Sequence, residues 1–353
     1  MSRLGIPSAK LADWPKIDRE LWRRAREPVG PFDDEGTASR WRAATVSNCE
    51  KAYGVWLSWL GMIGKLDSHV SPCARVSDVG FRKFLEAYAP GRAENTVAGT
   101  VQRIALILRA MEPPAGIPWL TRLGTRMTNA ASPSRPKLPR MVRVSELEAL
   151  GERLMEQGSA LLARRRTSGA VLYRDGLMIV MLARRPMRRM NIVDLRLGHS
   201  LLVDDERVVI AIPKSETKKG QSIEARFPVR WLPNLLYYLD SVRPLLLQRA
   251  EAGCVDWLWI NRRGGRLAAQ DITARVGNLT QRHLGRRVTP HLVRDCAATT
   301  VALEDPAHVG IIKAILGHAK LESGQKFYNQ ATSFTAFAAL GDAIDRLRGE
   351  DDE

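Results

Sequence analysis

From Thr37 to about Ala130 the apolar residues recur at helical spacing. Trp41, Tyr53, Val55, Trp56, Trp59 and Leu60 form the inner side of one long helical segment or two. Ser77 and Asp78 supply a helix start ahead of Phe81, Phe84, Leu85 and Tyr88. The stretch Thr96–Met111 carries Val97, Val101, Ile104, Leu106 and Leu108, and Pro113 with Pro114 stops it. Trp119 and Leu120 open a further short segment. No strand alternation interrupts this region, so residues 36–130 read as a small helical domain. Residues 1–35 are rich in proline, glycine and charge and read as a mobile N-terminal arm, with a short helix over Arg19–Arg26 as its one regular element.

The pattern then changes. Residues 131–142 (A-S-P-S-R-P-K-L-P-R-M-V) are basic and proline-rich, which favours extended backbone and marks a linker. Ser145 and Glu148 form a capping-box pattern for a helix with Leu147, Leu150 and Leu154 inward. Gly176–Leu182 is a nearly continuous apolar run and reads as a buried helix. Val208–Ile212 and Ile223–Val229 read as strands joined by the polar tip S-E-T-K-K-G-Q; the second alternates Ile223, Ala225, Phe227 and Val229. Leu232–Leu247 is helical with an interruption at Pro244, and Trp257–Ile260 runs into the turn N-R-R-G-G-R. Asp271 is placed to cap one helix, and Thr289 another with Pro290 at its first position. Asp305 and Pro306 repeat that signal, and Gly317 ends the helix they start. Ser333–Leu347 is a last amphipathic helix before an acidic end, within residues 332–353. The fold class is α+β, mainly helical: a helical domain, then a mixed domain over 143–331 with a small antiparallel sheet.

Composition narrows the partner. The 353 residues exceed what one core usually serves. A formal charge of +16, from 54 Lys and Arg against 38 Asp and Glu, suits a polyanion. The longest apolar run, Leu177–Ala183, is far short of a membrane span. Nucleic acid therefore leads over membrane. No secretory signal is visible, and Cys49, Cys73, Cys254 and Cys296 show no metal-ligand spacing, so they read as reduced thiols of a cytoplasmic protein.

The chemistry concentrates near the end of the chain. His291 and Arg294 lie one helical turn apart in T-P-H-L-V-R (289–294), on one face of a first turn whose N–H groups favour an anion. The pair fits a phosphate or an ordinary solvated helix start. His318 follows in L-G-H (316–318) and Tyr328 in K-F-Y-N-Q (326–330). Taken singly, the histidine is an ordinary helix-end residue and the tyrosine an ordinary core or interface residue. Their order and spacing carry the signal.

The set resembles the C-terminal signature of the tyrosine recombinases, the phage integrase family: H-x-x-R, then L-G-H, then a tyrosine about ten residues on. Upstream, R-R-M-N-I-V-D-L (188–195) is similar to the family's first-arginine motif. Arg188 fits it better than its neighbour Arg189, because only Arg188 leaves Ile192 and Leu195 on the apolar positions. The family carries a lysine on a β-hairpin. Here E-T-K (216–218) nominates Lys218, with Lys219 and Lys214 as runners-up. The resemblance spans about Ser145 to Ala331, and the preceding helical domain looks like the family's core-binding (SAM-like) domain by layout. It departs at Asn191, where the family usually has an acidic residue; at Asp295, where a histidine is common; and at Pro186, often a glycine.

The resemblance implies a site-specific recombinase or integrase that cleaves and rejoins double-stranded DNA through a 3′-phosphotyrosine, with no metal, ATP or other cofactor. Tyr328 would be the nucleophile, Arg188 and Arg294 would grip phosphate oxygens, and His318 would donate to one of them. His291 would help the phenol ionise and Lys218 would be the general acid. It also implies a homotetramer on two DNA sites. The two domains would close round the duplex as a clamp, and the terminal helix is expected to dock on a neighbouring protomer or on its own domain. The segments 262–266 and 281–287 offer arginines to phosphates, or an ordinary basic surface. A type IB topoisomerase, or a catalytically silent DNA-binding regulator on the same fold, are the competing readings.

Overall fold

The computed structural model describes residues 5–28, 36–115, 117–132, 136–204, 207–217, 220–248 and 256–304. The chain divides into two compact units, Met1–Pro136 and Lys137–Glu353.

The first unit is wholly helical among its described residues: α1 (Lys16–Arg26), α2 (Ala43–Met62), α3 (Asp78–Tyr88), α4 (Glu94–Met111) and α5 (Pro118–Ala130). Trp56 centres its core, with ring centroids 5.2 Å from Trp59 and 5.3 Å from both Phe81 and Phe84. The expected cap on α3 forms, with the Ser77 hydroxyl accepting from the Gly80 N–H at 3.1 Å. The N-terminal segment departs from the arm it was expected to be. Trp14 and Trp22 are buried in the core of this unit. Asp18, on the inner face of α1, accepts from the Arg75 guanidinium and from the Tyr53 hydroxyl at 2.7 Å. This carboxylate and guanidinium are both buried, so α1 is fixed by an ion pair that only the folded unit can satisfy.

The second unit is built on α6 (Val144–Ala163) and α7 (Ser168–Arg184). These helices touch through glycines: a Cβ on Gly158 would lie 2.7 Å from the Tyr173 nitrogen, and one on Gly176 2.5 Å from the Gly151 carbonyl oxygen. The start of α6 falls earlier than the Ser145–Glu148 pattern suggested. Glu146 accepts from the Arg143 backbone N–H at 2.7 Å, and Glu148 pairs with Arg184. Burial of Val142 draws the start back by packing the preceding residues on the core. The sheet is antiparallel in the order β1 (Leu201–Val203), β2 (Val208–Ile212), β3 (Ile223–Arg226). β1 was not foreseen, since three residues give too little alternation to read. β3 ends at Arg226, before Val229, because Pro228 follows and has no N–H for a ladder. Val208, Ile210 and Ile212 face the core.

The expected break at Pro244 is displaced. Helix α9 (Leu232–Tyr237) widens into a π turn at Tyr238–Val242 and resumes as α10 (Arg243–Leu247), so the irregular turn just ahead of the proline absorbs its missing N–H. α11 runs Ala269–Leu284, which puts Asp271 inside the first turn, where it favours the helix dipole, and not at the cap. Gly285 closes it in the left-handed conformation at φ +67. α12 (Pro290–Glu304) starts as its sequence suggests, with the Val293 N–H on the Thr289 carbonyl at 2.9 Å. The starts and stops at Asp305, Pro306 and Gly317 and the helix over Ser333–Leu347 lie outside the described residues.

Candidate phosphate-binding site

The site of the second unit forms where the start of α12 meets the loop between α7 and α8 (Arg189–Val193). That loop is fastened on several sides. Arg184 reaches Glu148 on α6 at 2.7 Å, and Arg185 donates to the carbonyl of Arg226 at the end of β3 at 3.0 and 2.8 Å. The Pro186 carbonyl accepts from Arg294 on α12. A proline gives up its N–H but keeps its carbonyl, so this departure from the family pattern still serves as an anchor. Arg188 follows in extended backbone just ahead of α8 and is half-buried.

Arg188 and Arg294 therefore stand together, although they come from distant parts of the sequence. The charge of each is felt in the same pocket. Arg294 is buried, and burial pushes its pKa down to about 10, with the Arg188 charge lowering it further and Asp295 opposing. His291 is the exposed side chain in an otherwise buried first turn of α12, and its pKa is lowered mainly by the desolvation of its inner side; Lys137, Arg294 and Arg188 also lower it, while Asp295 raises it. The imidazole is thus neutral at pH 7, a form able to accept a proton. Arg189, the rival of Arg188, is exposed and donates to the Thr273 hydroxyl at 3.3 Å.

Of the sequence-nominated residues, Arg188, His291 and Arg294 are brought together. Lys218, His318 and Tyr328, with the runner-up Lys219, lie outside the described residues. Lys214 is exposed in the turn Lys214–Glu216 at the base of the hairpin tip. That base is held: Glu216 accepts from His199 at 2.8 Å and from Arg196 at 3.4 Å, and the Thr217 hydroxyl accepts from the Gln221 N–H at 3.0 Å. Asn191 is buried at the start of α8, and among the described residues its side-chain nitrogen finds no hydrogen-bond acceptor.

The pocket also holds a pair that the sequence did not single out. Asp295 is buried and its carboxylate lies 2.6 Å from the Lys137 ammonium. Lys137 belongs to the basic linker stretch, so nothing in its local pattern ties it to α12. Among the other basic segments, Arg266 pairs with Asp194 and stacks on Trp257 at 4.3 Å, Arg286 holds the Met141 carbonyl at 3.0 Å, and Arg287 pairs with Asn278. Arg262, Arg263 and Arg282 are exposed. Among the described residues no three His, Cys, Asp or Glu side chains gather as metal ligands, and no helix is long and apolar enough to cross a membrane.

A sequence profile of the phage integrase family matches residues 155–333, half of the chain, spanning every nominated site residue. The chain belongs to the phage integrase family. This family is that of the tyrosine recombinases, and its fold is shared with solved structures. Two complexes of the XerH site-specific recombinase with difH substrate, post-cleavage and pre-cleavage, align at TM-scores of 0.56 and 0.55 and 14% identity. Each covers 91% of this chain, and 95% and 96% of the XerH chains respectively. The XerA recombinase aligns at 19% identity and a TM-score of 0.40, over 91% of this chain and 98% of its own. At 14% identity the likeness to XerH is one of fold. No curated protein sequence matches the chain significantly.

Proposed function

We propose that this tyrosine recombinase family member is a site-specific DNA recombinase or integrase. Tyr328 attacks a phosphodiester, the P–O5′ bond breaks, and the enzyme holds a 3′-phosphotyrosine while the 5′ oxygen leaves with a proton from Lys218. The reverse attack by a 5′ hydroxyl of a partner strand restores the backbone and frees Tyr328. Bond energy is conserved, so the scheme calls for neither metal nor ATP. A homotetramer on two DNA sites would carry the exchange.

The observation that carries this reading is the hydrogen bond from Arg294 to the Pro186 carbonyl, two residues ahead of Arg188, with His291 one helical turn from Arg294 on α12. The Arg188 charge lowers the pKa of Arg294, so a bound anion relieves the repulsion between the two guanidinium groups. The transition state of phosphoryl transfer gathers charge on the non-bridging oxygens, which planar forks meet in pairs. His318 would add a further donor, and His291 would draw the proton from the phenol, whose ordinary pKa near 10 keeps it un-ionised at pH 7. Asn191 supports one competing reading, a catalytically weak DNA-binding regulator, because an amide replaces the carboxylate expected to balance the arginine pair.

A duplex of the protein's own site, nicked just beside the cleavage point so that the short leaving strand diffuses away, separates them. The recombinase accumulates a covalent protein–DNA adduct that Tyr328→Phe does not form. A wild-type protein that binds this DNA without forming an adduct is the regulator. Relaxation of supercoiled plasmid lacking the site points to a type IB topoisomerase.

A further inference from the structure

We propose that Lys137, from the stretch joining the two units, is a further phosphate-binding residue of this pocket, and that Asp295 is the positioning residue that aims it. The proposal rests on the phosphate-pocket reading above, though not on cleavage. Lys137 lies 2.6 Å from Asp295, the residue after Arg294 on α12, and the Asp295 side chain is 11% exposed against 55% for Lys137. A carboxylate beside a phosphate pocket repels the phosphate unless a cation neutralises it. The more exposed Lys137 supplies that cation. An ammonium carries three N–H donors, so the ion pair with Asp295 does not exhaust it.

Three further contacts keep Lys137 there. The Met141 carbonyl accepts from Arg286 at 3.0 Å, and the Val144 N–H reaches the Thr300 hydroxyl on α12 at 3.4 Å. Val142 between them is buried in the core of this unit. Residues 141 to 144 are thus fastened to α12 and its neighbours, and the tight turn Leu138–Arg140, with the Arg140 N–H on the Lys137 carbonyl at 3.0 Å, carries Lys137 at their leading end. The Lys137 charge also reaches His291, which already senses Arg188 and Arg294, so all three cations bear on one place. Asp295 is the counter-charge that lets them gather in the absence of DNA. Its replacement of a histidine common in the family then has a role: it holds a lysine that this chain supplies from elsewhere.

The test measures binding and needs no cleavage. In a Tyr328→Phe background, affinity is measured for the duplex that the protein selects from a random pool, and for copies each carrying one uncharged methylphosphonate along its central steps. Lys137→Gln, a change at a largely exposed side chain, is expected to weaken binding about tenfold, as for one charge-assisted hydrogen bond. The loss should vanish on the same methylphosphonate duplex that erases the effect of Arg188→Gln. Asp295→Asn should reproduce part of the Lys137→Gln loss and add nothing to it in the double variant, with unchanged melting as the control for folding. The proposal is overturned if Lys137→Gln binds normally, or if its loss is erased at a different phosphate from that of Arg188. A wild-type protein that shows the shared phosphate but forms no adduct would overturn the recombinase reading and leave this one standing.

Discussion

Gly169 on α7 offers a sharp test of how the second unit is held together. A Cβ there would lie 2.4 Å from the Gly158 carbonyl oxygen and 2.9 Å from both the Leu161 Cβ and the Leu162 nitrogen. A comfortable carbon–oxygen contact is about 3.3 Å, so the helices must part by about 1 Å. The obstacles are mostly backbone, which no rotamer change can move. Overpacking of this kind costs up to about 3 kcal/mol, while the better helix propensity of alanine returns about 1 kcal/mol. Gly169→Ala should therefore lower the local stability of the α6–α7 pair by about 2 kcal/mol, the difference of those figures. Gly61→Ala is the matched control. Gly61 lies in the last turn of α2 with nothing within 4 Å of an added Cβ, so the same change should be neutral or stabilising. Hydrogen exchange followed by mass spectrometry reads each helix separately in the full chain. Peptides from 151–182 should lose protection in Gly169→Ala, and those from 43–62 should not in Gly61→Ala. Undiminished protection of α6 and α7 in Gly169→Ala would refute the close packing. Because the loop bearing Arg188 leaves the end of α7, the variant should also bind DNA less tightly.

Asp18→Ala strands the buried Arg75 guanidinium and should cost about 3–5 kcal/mol, seen as early melting of the first unit; a loss below 1 kcal/mol would return α1 to the status of an arm. His291 titrates below the ordinary 6.5, so the unfolded chain binds its proton first and stability falls as the pH drops below 6.5 toward the folded value. NMR titration should show that Asp295→Asn lowers the His291 pKa further, since Asp295 raises it. Asn191→Asp removes a buried N–H donor for which no acceptor is described and adds a counter-charge near the arginines, so single-turnover cleavage should quicken without loss of fold. Lys218→Ala should slow cleavage, and a 5′-bridging phosphorothioate, whose leaving group needs no proton, should restore it; the same rescue confined to Lys219→Ala would move the acid to that residue.

The sequence was most legible where a residue type has one physical use. Ser77 and Thr289 with Pro290 marked helix starts that the structure keeps, because caps and first-turn prolines act locally. Apolar spacing found α4, and a continuous apolar run found the buried second half of α7. Two other helix starts were missed, by two residues at α6 and three at α11. Glu148 and Asp271 look like capping partners in sequence, yet one answers Arg184 and the other lies within a helix that begins at Ala269. The burial of α1 was hidden because the proline, glycine and charge of residues 1–35 read as a mobile arm, and only Arg75 and Tyr53, far along the chain, make the Asp18 carboxylate an inside residue. The same holds in the pocket. His291 and Arg294 were legible as one helix face, and Arg188 through its motif. The pairing of Asp295 with Lys137 crosses most of the second unit and has no local pattern.

The central claim is that Tyr328 becomes bonded to DNA. Wild-type protein incubated with the nicked duplex, then digested with protease and nuclease, can be read by tandem mass spectrometry. The account predicts a single modified peptide bearing a nucleotide 3′-phosphate on Tyr328. A phosphonucleotide on any other residue, or an unmodified Tyr328 peptide from a sample in which the DNA has been cut, would contradict it.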